Sequence, residues 1–322
     1  MSTWDKNIKF IDLFAGIGGF RIAMEAYGAR CVFSSEIDLF AKETYHANFK
    51  EVPRGDIMQI ESKEIPKHDI LCGGFPCQPF SISGKQEGFD DVRGKLFFEI
   101  LRIAKYHRPR IVFLENVAHL TKHSSGETVK VMKKMLGEVG YDVFYEVLNA
   151  SDYGVPQSRK RLYILGFRKD MGISKFSFPT PTNEDIVLED ILCPDDETDQ
   201  YVITREDIVL NDIEVKNRVH APIRIGTVNK GGQGERIYSV KGHAITLSAE
   251  GGGPGAKTGL YLVNGRVRKL SPTECKRVQG FPHHFMIPVS DNKAWKQFGN
   301  SVAVPVLKNI IKAILDINGL NM

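Results

Sequence analysis

The run Gly73-Gly74-Phe75-Pro76-Cys77-Gln78-Pro79-Phe80-Ser81 has the residue types needed to present a nucleophile. It follows a short apolar run, Asp69-Ile70-Leu71-Cys72, that reads as a buried strand ending in glycines. The chain must turn at the carboxyl end of that strand, where open α/β sheets bind their ligands. Prolines 76 and 79 stiffen the backbone on either side of Cys77, and a thiol held there is a candidate nucleophile. Cys31, Cys72, Cys193 and Cys275 lack that setting and read as small buried hydrophobes. A second apolar run, Ile111-Val112-Phe113-Leu114, ends on Glu115-Asn116-Val117. A carboxylate there, in the same layer as Cys77, can give or take a proton; its alternative role is to cap the next helix. In Gln157-Ser158-Arg159-Lys160-Arg161 the alternation puts Arg159 and Arg161 on one face and Lys160 on the other. Two arginines facing Glu115 and Cys77 would orient the carboxylate and favour the thiolate.

A second group of residues suits a nucleoside. Lys9-Phe10-Ile11-Asp12-Leu13-Phe14 reads as the first strand, followed by Ala15-Gly16-Ile17-Gly18-Gly19-Phe20 and a helix to about Tyr27. The second strand, Cys31-Val32-Phe33-Ser34, leads to Glu36, twenty residues after Gly16. Nucleotide-binding α/β folds place an acid at that distance to take ribose hydroxyls. The dinucleotide fingerprint fails because its third glycine position is Arg21, so a nucleoside cofactor other than NAD is expected. Asp56, in Gly55-Asp56-Ile57, is suited to accept from the exocyclic amine of adenine or, alternatively, to cap a turn.

These residues need a scaffold. In the first third, short apolar strands alternate with helical patterns, the signature of a parallel sheet with crossover helices. Helices are expected from about Leu96 to Tyr106 and from about Val304 to Ile317, the second with Val306, Ile310, Ile311 and Ile314 on a face that must find a core. The polar stretch from Ser81 to Gly94 is longer than an ordinary connection and reads as a functional loop. A break at Phe178-Pro179-Thr180-Pro181-Thr182 places a boundary near residue 189. Beyond it, Gly231-Gly232-Gln233-Gly234-Glu235-Arg236 and Gly251-Gly252-Gly253-Pro254-Gly255 punctuate short β-like runs, as turns of a small β domain whose polar tips could read base edges.

Composition limits the classes. A chain of 322 residues with 42% hydrophobic content can bury one large or two unequal cores. No stretch reads as a signal peptide or approaches a membrane span. Five cysteines without regular spacing fit neither a disulfide framework nor a zinc site, so no metal is expected, and reduced thiols suggest the cytoplasm. Net charge is +4, unevenly placed: eight acids and no Lys or Arg from Glu184 to Asp199, then ten Lys/Arg against three Glu from His220 to Gly280. That is a local balance of +7, suited to a polyanion such as nucleic acid.

The order of these motifs resembles one family. Asp12-Leu13-Phe14-Ala15-Gly16-Ile17-Gly18-Gly19, Gly74-Phe75-Pro76-Cys77-Gln78, Glu115-Asn116-Val117, Gln157-Ser158-Arg159-Lys160-Arg161 and Gly299-Asn300-Ser301-Val302 occur as in the DNA (cytosine-5) methyltransferases. So do Arg268-Lys269-Leu270-Ser271-Pro272-Thr273-Glu274-Cys275 and Gln279-Gly280-Phe281-Pro282, and the likeness covers nearly the whole chain. It implies a Rossmann-like α/β sheet using S-adenosylmethionine, with a smaller, mainly β target-recognition domain. The implied division is a catalytic and cofactor domain at 1–189 completed by the C-terminal helix at 300–322, a target-recognition domain at 190–271, and a hinge at 272–299.

The resemblance also implies roles. Cys77 would add to C6 of cytosine, Glu115 would hold N3 and the exocyclic amine, and Arg159 and Arg161 would orient Glu115 and the base. The cofactor set is Phe14, Ala15, Gly16, Gly18, Gly19, Glu36, Ile37, Asp56, Ile57, Pro76, Asn300, Ser301 and Val302. Double-stranded DNA would meet Ser81, Ser83, Lys85, Arg93, Gln233, Arg236 and Gly253, with Ser83 or Gln233 filling the space of a flipped-out base. The Gln233/Arg236 loop resembles that of a family member acting on the inner cytosine of GCGC, so GCGC is the expected site; Glu250 stands where that member has an aromatic residue. A monomer is expected, as is a cognate restriction endonuclease sharing the site, with no membrane partner. Two alternatives are an RNA (tRNA) methyltransferase on the same scaffold and a catalytically silent DNA-binding member.

Overall fold

The computed structural model of the chain describes residues 3–4, 7–75, 95–182, 184–212 and 215–317. Six strands form the main sheet: β1 (Lys9–Leu13), β2 (Arg30–Ser35), β3 (Ile70–Gly74), β4 (Ile111–Val117), β5 (Tyr141–Asn149) and β6 (Lys160–Arg168), in the order β2-β1-β3-β4-β6-β5. The first four are parallel, joined across the faces by α1 (Gly19–Glu25), α2 (Leu39–Phe49) and α3 (Lys95–His107), and α4 (Glu127–Glu138) leads from β4 to β5. Their side chains alternate between two cores. Phe10, Cys72, Ile111 and Phe113 enter one, while Ile11, Leu13, Leu71, Val112 and Leu114 enter the other. Strands buried on both faces must be apolar at nearly every position, which is why they read as unbroken runs.

The parallel arrangement expected from the first third holds, and beyond it β6 runs antiparallel to both β4 and β5. Residues 150–159 join β5 to β6 with a single short turn of helix, too little chain for a parallel crossover. β5 went unread because its middle, Tyr145-Glu146-Val147, is an exposed edge. Cys31, Cys72, Cys193 and Cys275 are all buried free thiols, as expected.

A second sheet holds β7 (Val209–Leu210), β8 (Arg224–Thr227), β9 (Arg236–Ser239), β10 (Leu260–Val263) and β11 (Arg266–Arg268), ordered β11-β10-β9-β8-β7. Ile225, Val228, Ile237, Leu260 and Val267 give it a small core of its own. The acidic run before it is an electrostatic partner of this region. Arg218 pairs with Asp185 and Asp190, and Arg266 with Asp195 and Asp199. The local excess of positive charge is therefore partly neutralised within the fold.

The chain then returns to the first sheet through α5 (Pro272–Val278), α6 (Asp291–Asn300) and α7 (Val304–Leu315). Ser271 caps α5 by accepting from the Glu274 amide at 3.2 Å. Glu274 in turn receives Arg268 in a fully buried ion pair at 2.7 Å. α7 packs along α1, burying Val306, Ile310, Ile311 and Ile314 as its apolar face requires. One stretch, Asp291–Leu315, does reach a mean hydropathy of 1.2, against the expectation that none approaches a membrane span. It is two helices broken at 301–303, and its apolar residues lie in the core.

Candidate active site

β3 and β4 end side by side, and their register pairs Gly74 with Glu115. A Cβ at position 74 would lie 3.6 Å from the Glu115 carboxylate, in ordinary contact, which places the end of β3 directly beside that group. Glu115 lies inside β4, not before a helix, which removes the capping role. It is 8% exposed, and Arg161, from the neighbouring β6, places Nε 3.2 Å from Oε1. Burial raises the Glu115 pKa, while Arg161 and Arg159 oppose the rise. Asn116, next along β4, donates to the Phe75 carbonyl at 3.0 Å and ties down the exit of β3. Cys77 lies outside the described residues, as do Pro76, Ser81, Ser83, Lys85 and Arg93.

Arg159 has a second role beside the expected one. It does face Glu115 electrostatically, but its guanidinium donates to the carbonyls of Leu247, Gly299 and Ser301. It therefore braces the connection between β9 and β10 against the end of α6. Burial, reinforced by Arg161, lowers its pKa. Replacing Arg159 with methionine would leave three buried carbonyls unpaired and should cost roughly 2–4 kcal/mol of stability. Urea unfolding of the variant beside the parent measures that loss.

The cofactor residues converge on one cavity of about 910 Å³, lined also by Glu115 and Arg161. The turn after β1 is tightly specified. Phe14 (φ 57°), Gly16 (φ 54°) and Gly18 (φ 88°) are all left-handed, which for Phe14 is strained backbone. Glu36 holds this turn, accepting from the Gly16 amide at 2.8 Å and from those of Ile37 and Asp38 at 2.8 Å each. Three of its roughly four acceptor positions are thereby used on backbone, leaving one for a ligand. Asp56 combines both readings, since Oδ1 takes the Met58 amide at 3.0 Å and the residue also lines the cavity. Gly19 packs so closely on the segment after α6 that a Cβ would lie 2.4 Å from Val302. Gly18 is corrected: it does not line the cavity, and its Cβ would run into Phe49 at 2.3 Å. Its requirement is steric, at the join of α1 and α2.

Several lining residues carried no sequence signal that singled them out: Ser35, His119, Lys293, Lys296 and Gln297. Ser35 Oγ and Gln297 Nε2 are buried there without partners among the described residues. Two orphaned polar atoms, carboxylates for hydroxyls, apolar walls at Phe14 and Ile57, and the glycine cradle fit a nucleoside bearing an amino-acid tail.

Gln233, Arg236 and Gly253 are not in this cavity. They belong to two glycine loops of the second sheet that are stapled together by backbone. Gly255 donates to the Gly234 carbonyl at 2.7 Å, and a Cβ on Gly234 would lie 1.9 Å from Gly252. Arg236 is exposed, touching only the Gly231 carbonyl at 3.3 Å among its described side-chain hydrogen bonds. Glu250 instead reaches the cavity, 3.9 Å from Lys296.

Residues 8–316 match the profile of the C-5 cytosine-specific DNA methylases. The chain belongs to that family. It is 53% identical over 304 residues to the Type II methyltransferase M.HhaI of Haemophilus parahaemolyticus, covering 94% of this chain and 93% of that one. It is 43% identical over 333 residues to M.HpaII of Haemophilus parainfluenzae, covering 97% and 90%. The fold is shared with the Entamoeba histolytica methyltransferase EhMeth at a TM-score of 0.76 and 21% identity, covering 96% of this chain and 98% of that one. It is shared likewise with the Dnmt2 methyltransferase of S. pombe at 0.74 and 20%, with the same coverage. The methyltransferase is thus a C-5 cytosine DNA methyltransferase of the restriction-modification type that uses S-adenosylmethionine.

Proposed function

We propose that this methyltransferase modifies the inner cytosine of GCGC in duplex DNA, with the target base turned out of the helix. The observation that carries the catalytic part is Glu115, buried at the strand end beside Gly74, paired with Arg161 and open to the cofactor cavity. Cytosine C5 is a poor nucleophile. Addition of the Cys77 thiolate to C6 forms the S–C6 bond and pushes the ring electrons toward C5 and N3. Glu115 holds the proton at N3 and accepts from the exocyclic amine, selecting cytosine over thymine. Bound S-adenosylmethionine supplies an electrophilic methyl group on a sulfonium. Once C5 carries that methyl, loss of the C5 proton returns its electron pair to the ring, and the S–C6 bond breaks to restore the Cys77 thiolate. Arg161 keeps Glu115 oriented throughout, and Arg159 supports the wall behind them.

For the cofactor we assign Phe14, Ala15, Gly16, Gly19, Glu36, Ile37, Asp56, Ile57, Asn300, Ser301 and Val302, all of which line the cavity. We divide the chain at residue 189, whose amide donates to the Val240 carbonyl, so that the second sheet forms the target-recognition domain. The 190–271 segment speaks for duplex DNA over RNA, as do the Type II relatives. A monomeric cytoplasmic enzyme with a cognate endonuclease completes the reading.

Arg236 can give guanine a bidentate contact to O6 and N7 in the major groove, and Gln233 can satisfy the guanine left without its cytosine. Arg236→Ala should relax selection at one guanine by roughly 1–3 kcal/mol, or about 5- to 150-fold. Sequencing the methylated positions of a plasmid from cells making each protein reads both claims. Methylcytosine confined to a context other than GCGC would overturn the site, and incorporation into tRNA but not duplex DNA would overturn the substrate.

A further inference from the structure

One face of α6 lines the cavity with Lys293, Lys296, Gln297 and Asn300, spaced as neighbours along a helix surface. The opposite face, with Ala294, Trp295 and Phe298, is buried core. Gln297 is the deep member of the polar face, 8% exposed. The Thr44 hydroxyl donates to its Oε1 at 2.9 Å, which fixes the amide and leaves Nε2 a buried donor with no partner among the described residues. Such a donor costs free energy unless a ligand receives it. The cavity's other cations are largely occupied. Arg159 is spent on three carbonyls, Arg161 faces Glu115, and Lys293 lies 3.8 Å above the Phe40 ring. Among the described residues Lys296 pairs only with Glu250, at 3.9 Å, a loose and exposed contact.

From this we infer that Gln297, with Lys296 at its rim, forms a carboxylate subsite that takes the amino-acid carboxylate of the cofactor. The assignment rests on the S-adenosylmethionine reading and adds the residues that recognise its anionic end. A DNA phosphate offers similar oxygen chemistry, but Gln297 is deep, beside Thr44 of α2, where a ligand enclosed by the cavity is the nearer source.

Calorimetry with two ligands tests the subsite: S-adenosylhomocysteine, and its analogue lacking only the carboxylate. The parent protein should bind the first at least about tenfold more tightly. Gln297→Glu keeps the shape and the Thr44 hydrogen bond but sets one anion against another. It should weaken S-adenosylhomocysteine roughly 10- to 100-fold and the analogue by less than about threefold. Affinity for duplex DNA, followed by fluorescence anisotropy, should not change. Equal weakening of both ligands, or no discrimination between them by the parent protein, overturns the subsite even if the variant folds poorly. Loss of duplex binding with S-adenosylhomocysteine unaffected assigns the donor to phosphate and also overturns it. A parent protein that binds neither ligand would instead sink the cofactor reading on which the subsite rests.

Discussion

Cys77→Ser is expected to abolish methyl transfer, lowering turnover on the order of ten-thousand-fold, while S-adenosylhomocysteine still binds. A thiol near its usual pKa of about 8.5 is a few per cent thiolate at neutral pH, and thiolate is intrinsically a strong nucleophile. A serine hydroxyl is far less ionised and adds to C6 much less readily. The step lost is formation of the S–C6 bond, without which C5 never becomes electron-rich. The residues assigned to the cofactor lie mostly on the turns after β1 and β2 and on the segment after α6, and a Cys-to-Ser change is nearly isosteric, so ligand affinity should survive. Single-turnover incorporation of labelled methyl groups into a GCGC duplex measures the loss. Turnover within about tenfold of the parent protein would remove Cys77 from the nucleophile's role.

Glu115→Gln should lower turnover roughly 100- to 1,000-fold, the scale of a positioned proton donor. Glutamine keeps the length and can donate to N3, but it carries no proton that shifts with the charge on the ring. The pH profile separates this from simple misfolding. Burial raises the Glu115 pKa, so the protonated carboxyl persists to higher pH than an ordinary glutamic acid. As pH rises through that value the proton is lost, and the rate should fall on the alkaline side. The acid side should reflect the thiol of Cys77, which must ionise to react. In Glu115→Gln the alkaline fall should disappear. Its persistence would mean that another group titrates there.

How far the sequence could be read depended on whether a residue's partners lay close along the chain. The spacing of twenty from Gly16 marked Glu36 as an acid for ribose hydroxyls, and in the fold its carboxylate lines the cavity and also accepts from the Gly16 amide. The runs of β1, β3 and β4 were legible because burial on both faces leaves little room for polar residues. The bracing role of Arg159 was illegible for the opposite reason. Its partners lie 88, 140 and 142 residues away, and alternation along β6 says which face a side chain takes but not which carbonyl waits there. Gly18 shared a motif with Gly16 and Gly19, yet what it avoids is Phe49 at the far end of α2. β6 read correctly as a strand, but its direction was set by the short link from β5, which sequence pattern did not reveal. Gln297 gave no signal at all, because an unmet donor is visible only once its surroundings are known.

The cavity wall joins the first strand to residues 299–302, and the last helix lies along the first one. A nascent chain emerging from the ribosome therefore carries Cys77 and Glu115 long before the pocket has its final side. Until α6 and α7 have been translated, α1 exposes an apolar face and Arg159 lacks two of its three carbonyls. Synthesis interrupted anywhere before residue 302 should thus release a chain that cannot load its methyl donor. A truncated message would yield no partially active enzyme, so the appearance of methylation in a cell should follow completed chains alone.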